Sequence, residues 1–259
     1  MDGHCEIALD YIQNCLITLG NTKADCVGGA TDHIASGIIG NSITIAQSSL
    51  FGVGGVDFRQ NQANGKYVDT LAFGAYKREV FEKIGGYDEE LVRNQDDEFN
   101  FRLIQNGGKI WLDPNIKSKY YPRTSLNKLF KQYFQYGFYK IRVFQKRGGI
   151  ASWRQLIPIL FIIFLLIAIG MVKFGWVLPI KFILGTYFSL SFLFTIKEFL
   201  KNNSKFNSIL LLPITFFIIH FAYGLGSFFG LFYFMKSWKD TKIKDSTFNK
   251  ELFYANSLS

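Results

Sequence analysis

Asn94-Gln95-Asp96-Asp97-Glu98-Phe99-Asn100-Phe101-Arg102 sets three consecutive carboxylates ahead of an arginine at helical spacing. Read as a helix, the stretch puts Asp96, Phe99 and Leu103 on one side and stacks Glu98 on Arg102 one turn later, leaving one carboxylate paired and another free. A free carboxylate at a helix start has the form of a general base, although acids also gather there because the helix dipole favours them. Working outward, Gly107-Gly108 closes the acidic helix, Lys109 to Leu112 reads as a strand, and Asp113-Pro114 as a turn. Upstream, Lys77 to Ile84 is a short helix stopped by Gly85-Gly86, while Ala24 to Gly29 and Tyr67 to Ala75 read as apolar strands. Strands alternating with helices predict an α/β layered domain over residues 1–122.

Before that alternation, Ile7, Tyr11, Cys15 and Ile17 to Leu19 follow a helical period ended by Gly20-Asn21, with no strand expected ahead of them. Gly37 to Leu50 reads as a loop running into a helix of small residues, and Phe51 to Gly65, rich in Gly, Asn and Gln, as a mobile loop. Cys5, Cys15 and Cys26 show no CxxC spacing, so neither a disulfide framework nor a zinc site is indicated, and a cytosolic face is the simpler reading. No basic and then apolar run opens the sequence, so membrane insertion is expected to rely on later segments.

The formal charge of +9 is unevenly spread. From Pro114 to Lys197 there is no Asp or Glu, yet ten Lys and Arg crowd the stretch from Lys117 to Arg154. Such a block calls for an anionic partner. Within it, Leu126, Leu129, Phe130, Tyr133, Phe134, Phe138, Ile141 and Phe144 recur at intervals of three and four, with Lys and Gln opposite. That pattern over residues 123–154 predicts a basic amphipathic helix lying in a membrane interface and facing anionic headgroups. The helix runs directly into an apolar region, which argues against nucleic acid as the partner.

Residues 155–235 are dominated by Phe, Ile and Leu and hold three hydrophobic segments, 156–172, 174–196 and 206–235. A bilayer core needs roughly 20 helical residues, so each is a candidate span. With three crossings the basic tail 236–259 falls opposite the basic helix, against the positive-inside rule. Pro213 with Gly224, Gly226 and Gly230 suggests that the last segment enters and returns.

Asp2-Gly3-His4 offers a carboxylate and an imidazole two residues apart, able to face one side and hold a divalent ion. His33 and His220 belong to no recognisable nucleophile-base arrangement. His220, inside an apolar run, is read equally as packing or as a contact for a lipid acceptor.

Taken in order, Asp2-Gly3-His4, Thr70 to Arg78, Ile84 to Glu89, Gln95 to Phe99 with Arg102, and Gly107 to Ile110 resemble the successive blocks of inverting family 2 glycosyltransferases of the GT-A fold. Gln132 to Lys140 and His220 to Gly226 resemble the membrane-bound succinoglycan-biosynthesis subgroup. The resemblance implies a partial GT-A, Rossmann-like domain followed by an interfacial helix and transmembrane helices, with the catalytic domain cytoplasmic. It implies Asp96 as catalytic base and Asp2 and His4 as ligands of Mg²⁺ or Mn²⁺. Gln95 stands where the family has Glu, Glu98 and Arg102 serve as scaffold, and Asp97 is solvated. Gly74, Gln132, Tyr136 and Lys140 fall where donor or acceptor phosphate is contacted. The expected partners are a nucleotide-sugar donor, a lipid-linked or glycan acceptor and membrane lipids. Family members begin with a further nucleoside-binding half, so a missing N-terminal half is expected. A chain lacking it would be inactive alone; a non-catalytic membrane anchor or assembly subunit is the alternative, and a transporter component a more remote one.

Overall fold

A computed structural model describes residues 5–54, 64–150, 153–201 and 206–244. The domain core is built on two parallel strand pairs that change sheets together. In a four-stranded sheet, β2 (Cys26–Gly28) lies parallel to β6 (Ile110–Leu112), with β5 (Ala75–Tyr76) antiparallel on one edge and β4 (Lys66–Val68) antiparallel on the other. A few residues on, β3 (Thr31–His33) lies parallel to β7 (Ser118–Tyr120), which also carries β1 (Cys5–Ile7) antiparallel in a three-stranded sheet. The two chains cross between the sheets at Gly29, where a Cβ would come within 1.5 Å of the Ile116 carbonyl oxygen. Only glycine fits there.

Two strands depart from the sequence pattern. Tyr67 to Ala75 is not one strand: β4 and β5 lie on opposite edges, and the chain from Asp69 to Gly74 loops between them. A strand, β1, does precede the first helix, because Cys5 to Ile7 finds its ladder on Ser118–Tyr120, far along the chain. The helices α1 (Tyr11–Asn21), α2 (Gly37–Ser48), the single turn α3 (Leu50–Val53) and α4 (Arg78–Ile84) follow the pattern more closely. So does α5 (Gln95–Gln105), which buries Phe99 and Leu103 against Cys26, Val68, Leu71, Val80, Ile110 and Leu112. It ends as its glycines require: Gly107 takes φ +80, and Gly108 N–H returns to the Leu103 carbonyl at 3.0 Å.

Helix α6 (Leu126–Arg147) is capped by Ser125, whose Oγ accepts from Lys128 N–H at 3.2 Å. Its basic face is corrected by the structure. Lys128 and Lys131 are exposed, but Lys140, Arg142 and Lys146 are buried and spent inside the protein. Lys140 pairs with Asp97. Arg142, fully buried, donates from Nε to Glu90 Oε1 at 2.8 Å and from Nη2 to Asp240 Oδ2 at 2.8 Å. Lys146 lies 2.9 Å from Asp88 and 2.8 Å from Glu90. Much of the block's anionic partner is therefore the chain's own carboxylates, brought in from distant loops that composition does not reveal.

Below α6 lie α7 (Ile157–Val172), led in by a 3₁₀ turn (Trp153–Leu156), then α8 (Leu178–Lys201), the short α9 (Phe206–Leu210) and α10 (Leu212–Tyr233). Three helical segments, Trp153–Val172, Leu178–Lys201 and Leu212–Tyr233, are long and apolar enough to cross a membrane. The third is the inner one, with 44% of its apolar window buried within the protein against 22% and 17% for the others. It is one continuous helix: Pro213 sits in its first turn, where proline starts a helix, and its glycines serve contact instead of bending. A Cβ on Gly226 would lie 2.0 Å from the Phe134 carbonyl oxygen, and one on Gly137 2.0 Å from that of Tyr223. Helices α6 and α10 thus run side by side with their backbones touching, the arrangement small residues permit.

At its start α10 is bonded to α2 through Thr215 and Ser42, 2.8 Å apart. Just past its end, Ser237 and Asp240 carbonyls accept from Arg142, and Lys244 O accepts from Glu89 N–H at 2.9 Å. The tail from Ser237 to Lys244 is therefore fastened to the same layer as the α/β domain.

Two outcomes follow. Gly226→Val forces the touching helices apart at a cost of about 1–3 kcal/mol and lowers the thermal midpoint in detergent, whereas Gly185→Val in α8, with nothing within 4 Å, leaves it unchanged. Arg142 holds the Glu90 carboxyl down from 4.5 to about 2, aided by Lys146 and opposed by burial. A depressed carboxylate contributes stability that is complete above its unfolded pKa and lost as pH falls through the folded one. The wild-type midpoint therefore declines between pH 4.5 and 2, and Glu90→Gln shows a lower midpoint at neutral pH and a shallower acid decline.

Candidate active site

A cleft of about 620 Å³ opens where the domain meets α6. Gly74, Gln95, Asp96, Gln132 and Tyr136, dispersed in sequence, all line it. A larger hollow of about 720 Å³ between the start of α2 and α9 is walled by Gly, Ile and Leu with Ser36, Thr124 and Asn207; lacking any titratable group, it offers no acid-base chemistry.

The strands and turns explain the convergence. One wall is the loop from Leu71 to Gly74, the stretch that separates β4 from β5. It is held from beneath by Asn100, fully buried one turn after Asp96. Its Nδ2 donates to Thr70 Oγ1 at 2.9 Å and to Leu71 O at 3.2 Å, while Tyr76 O–H donates to its Oδ1 at 2.6 Å. Nothing in the sequence marked Asn100 beyond its place four residues after Asp96.

The opposite wall is α6. Gln132 Nε2 donates to the Tyr136 hydroxyl at 2.9 Å, and its Oε1 is buried with no hydrogen-bond partner. Tyr120 and His33, neighbours on β7 and β3 with ring centroids 5.2 Å apart, close the end. The arrangement brings His33 into the cleft, which isolated sequence context did not suggest.

Between the walls stands the turn before α5. Asn94 takes φ +64, and its Nδ2 donates to the Tyr136 carbonyl at 3.0 Å. Phe73 across the cleft takes φ +58 and accepts at its carbonyl from the Tyr11 hydroxyl. These two are the positive-φ residues other than glycine among the described residues, and both line the cleft. Left-handed backbone at non-glycine positions is costly and persists where surrounding contacts hold it, commonly at functional sites.

Asp96 sits in the first turn of α5, its surface exposed to the cleft while the carboxyl is hemmed in by the cleft walls. Burial, and next the like charge of Asp97, push its carboxyl above the ordinary range, against backbone N–H groups that favour the anion. The three carboxylates divide. Glu98 accepts from Arg102 Nε and Nη2, both at 2.9 Å, and the same guanidinium reaches the carbonyls of Ile84 and Gly86, fixing the Gly85-Gly86 turn. Asp97 is not solvated as the sequence suggested: it pairs with Lys140 and, at 3.0 Å, with Arg147. Burial works to raise its pKa, but the two cations together hold it below the ordinary carboxylate range. Lys140, turned to Asp97, does not line the cleft. Of the three, Asp96 alone lines the cleft, and it has no ion pair among the described residues.

His220 is engaged within the apolar layer: its Nδ1 lies 2.9 Å from the Tyr187 hydroxyl and its Nε2 2.8 Å from the Phe51 carbonyl. Asp2 and His4 lie outside the described residues. Among the described residues no group of three His, Cys, Asp or Glu could hold a metal.

No protein-family model matches the chain. It is 31% identical over 180 residues to the succinoglycan biosynthesis protein ExoA of Rhizobium meliloti (strain 1021), covering 70% of this chain and 52% of that protein. It is 26% identical over 228 residues to the dolichyl N-acetyl-alpha-D-glucosaminyl phosphate 3-beta-D-2,3-diacetamido-2,3-dideoxy-beta-D-glucuronosyltransferase of Methanococcus voltae, covering 86% of this chain and 66% of that protein. The chain thus spans about half to two thirds of these relatives' lengths. With an α/β domain joined to apolar helices and an uncommitted carboxylate at the head of the acidic helix, the chain is a relative of the family 2 glycosyltransferases.

Proposed function

We propose that the chain belongs to an inverting glycosyltransferase that moves a hexose-type sugar from a nucleotide-sugar donor to a lipid-linked or glycan acceptor at the cytoplasmic face of the membrane, in exopolysaccharide or cell-envelope glycan synthesis. The observation that carries this reading is Asp96: in the cleft, without an ion pair among the described residues, and with its pKa pushed up. A general base works best when its pKa approaches the working pH. Asp96 takes the proton of an acceptor hydroxyl; the oxygen attacks the anomeric carbon from the face opposite the diphosphate, and the bond to the diphosphate breaks with its electrons. One base suffices, since no covalent intermediate forms. A Mg²⁺ or Mn²⁺ ion, assigned to Asp2 and His4 by family resemblance, would neutralise the leaving diphosphate.

The printed names of the relatives, a polysaccharide biosynthesis protein and a transferase acting on a dolichyl-linked phosphate sugar, support an acceptor carried at a membrane. The fold supports the same placement, since α6 forms a wall of the cleft on one side and packs against apolar helices on the other.

With the protein expressed from its own gene in native membranes, Asp96→Asn lowers sugar transfer by about 10²–10⁴-fold while donor binding stays near wild type. Transfer that survives the substitution refutes the assignment of the base. Because Asp96 acts ionised, the rate rises with pH through its raised pKa. Asp97→Asn removes the neighbouring like charge and leaves Lys140 and Arg147 unopposed, so the acid limb moves to lower pH. A topology reporter fused after the tail scores on the same side as one inserted at Gly107, and that side is cytoplasmic.

A further inference from the structure

The cations near the cleft are nearly all spent. Arg102 is taken by Glu98, Lys140 and Arg147 by Asp97, and Arg142 and Lys146 by Glu90, Asp240 and Asp88. Arg93 differs. It lines the cleft, its Nε donates to the neutral Gln135 Oε1 at 3.1 Å, and its Nη1 and Nη2 have no carboxylate or other hydrogen-bond partner among the described residues. A guanidinium tethered through Nε is fixed in direction, and its two outer nitrogens form a planar fork that matches a pair of phosphate oxygens. The same wall carries a second unmet group, Gln132 Oε1, on a side chain only 9% exposed. Leaving such an atom buried without a partner costs free energy unless a ligand supplies a donor. A fork of donors beside a lone acceptor fits a ligand with both phosphate and hydroxyl groups.

We propose that Arg93 is the anion-binding residue of this cleft, receiving a phosphate group of the substrate on Nη1 and Nη2 while Gln132 Oε1 accepts from a hydroxyl of the same ligand. The proposal rests on the glycosyltransferase reading and deepens it. Its chemistry is shared by two sources, the diphosphate of a nucleotide donor and the phosphate of a lipid acceptor. Arg93 precedes Asn94, whose side chain holds the turn to Tyr136, so the guanidinium and the Asp96 base are mounted on one short segment. A phosphate held by Arg93 would be placed relative to the base by that turn.

The test uses the full chain in lipid nanodiscs. Binding of inorganic pyrophosphate, uridine diphosphate and undecaprenyl phosphate is measured for wild type, Arg93→Gln and Arg93→Lys, with folding checked by circular dichroism and thermal melting. Loss of a charge-assisted forked contact lowers affinity by about tenfold or more, and Arg93→Lys, which keeps the charge without the fork, falls between. A loss confined to pyrophosphate and uridine diphosphate assigns Arg93 to the donor; a loss confined to undecaprenyl phosphate assigns it to the acceptor; a loss for all three supports the shared chemistry. Should Arg93→Gln misfold, Arg93→Lys decides. Unchanged affinity for all three probes in a folded variant overturns the proposal, as does a wild-type chain that binds none. If Arg93→Gln loses phosphate binding while Asp96→Asn retains transfer, the phosphate site stands and the base assignment falls.

Discussion

The ion pairs that α6 makes with the domain above it are the constraint on which the remaining structure depends. Lys140 with Asp97, Arg142 with Glu90 and Asp240, and Lys146 with Asp88 and Glu90 join four separate parts of the chain on one helix: the start of α5, the loop before it, α6 itself and the tail after α10. Lys146 and Asp88 are both fully buried, and removing one partner of such a pair leaves a charge without water or counter-ion, which costs about 3–5 kcal/mol. These contacts are therefore hard to rearrange singly. They fix where the acidic helix stands over the apolar layer, and hence where the cleft lies.

The same pairs sort the chemistry of the cleft. Neutralising Asp97 from behind with two cations leaves Asp96 as the one carboxylate of the three that faces the opening without an ion partner. Asp97 still raises it through proximity. Part of the upward shift of Asp96, after the larger effect of burial, thus comes from a neighbour that does not line the cleft. The strained turn at Asn94 and the buried amide of Asn100 keep it in place from either side.

The acidic helix, its glycine stop and the apolar segments were legible because each is a local pattern: Phe99 and Leu103 at helical spacing, Gly107 after the last turn, long runs without charge. Gly74, Gln95, Asp96, Gln132 and Tyr136 could be singled out from sequence blocks, and they line one cleft. Other features depend on partners far along the chain. The strands β1, β3 and β7 are three residues each and find one another only across the fold, so no alternation announces them. The basic face of α6 was read as facing lipid because sequence spacing shows that Lys140, Arg142 and Lys146 share a helix, but not that Asp97, Glu90 and Asp88 are brought against them. Arg93 carried no pattern of its own, although it lies just ahead of the acidic run. Asn100 was hidden because its value lies in what it bonds.

Helix α6 has little surface left unassigned. Gln132 and Tyr136 face the cleft, Gly137 touches the backbone of α10, Lys140 holds Asp97, and Arg142 holds the tail. Each residue of an α-helix turns about 100° from the last. Adding or deleting one residue between Gln132 and Arg142 would rotate the two ends relative to each other, so no compensating shift could restore both the cleft and the tail contacts. The length of this helix is therefore held to the residue.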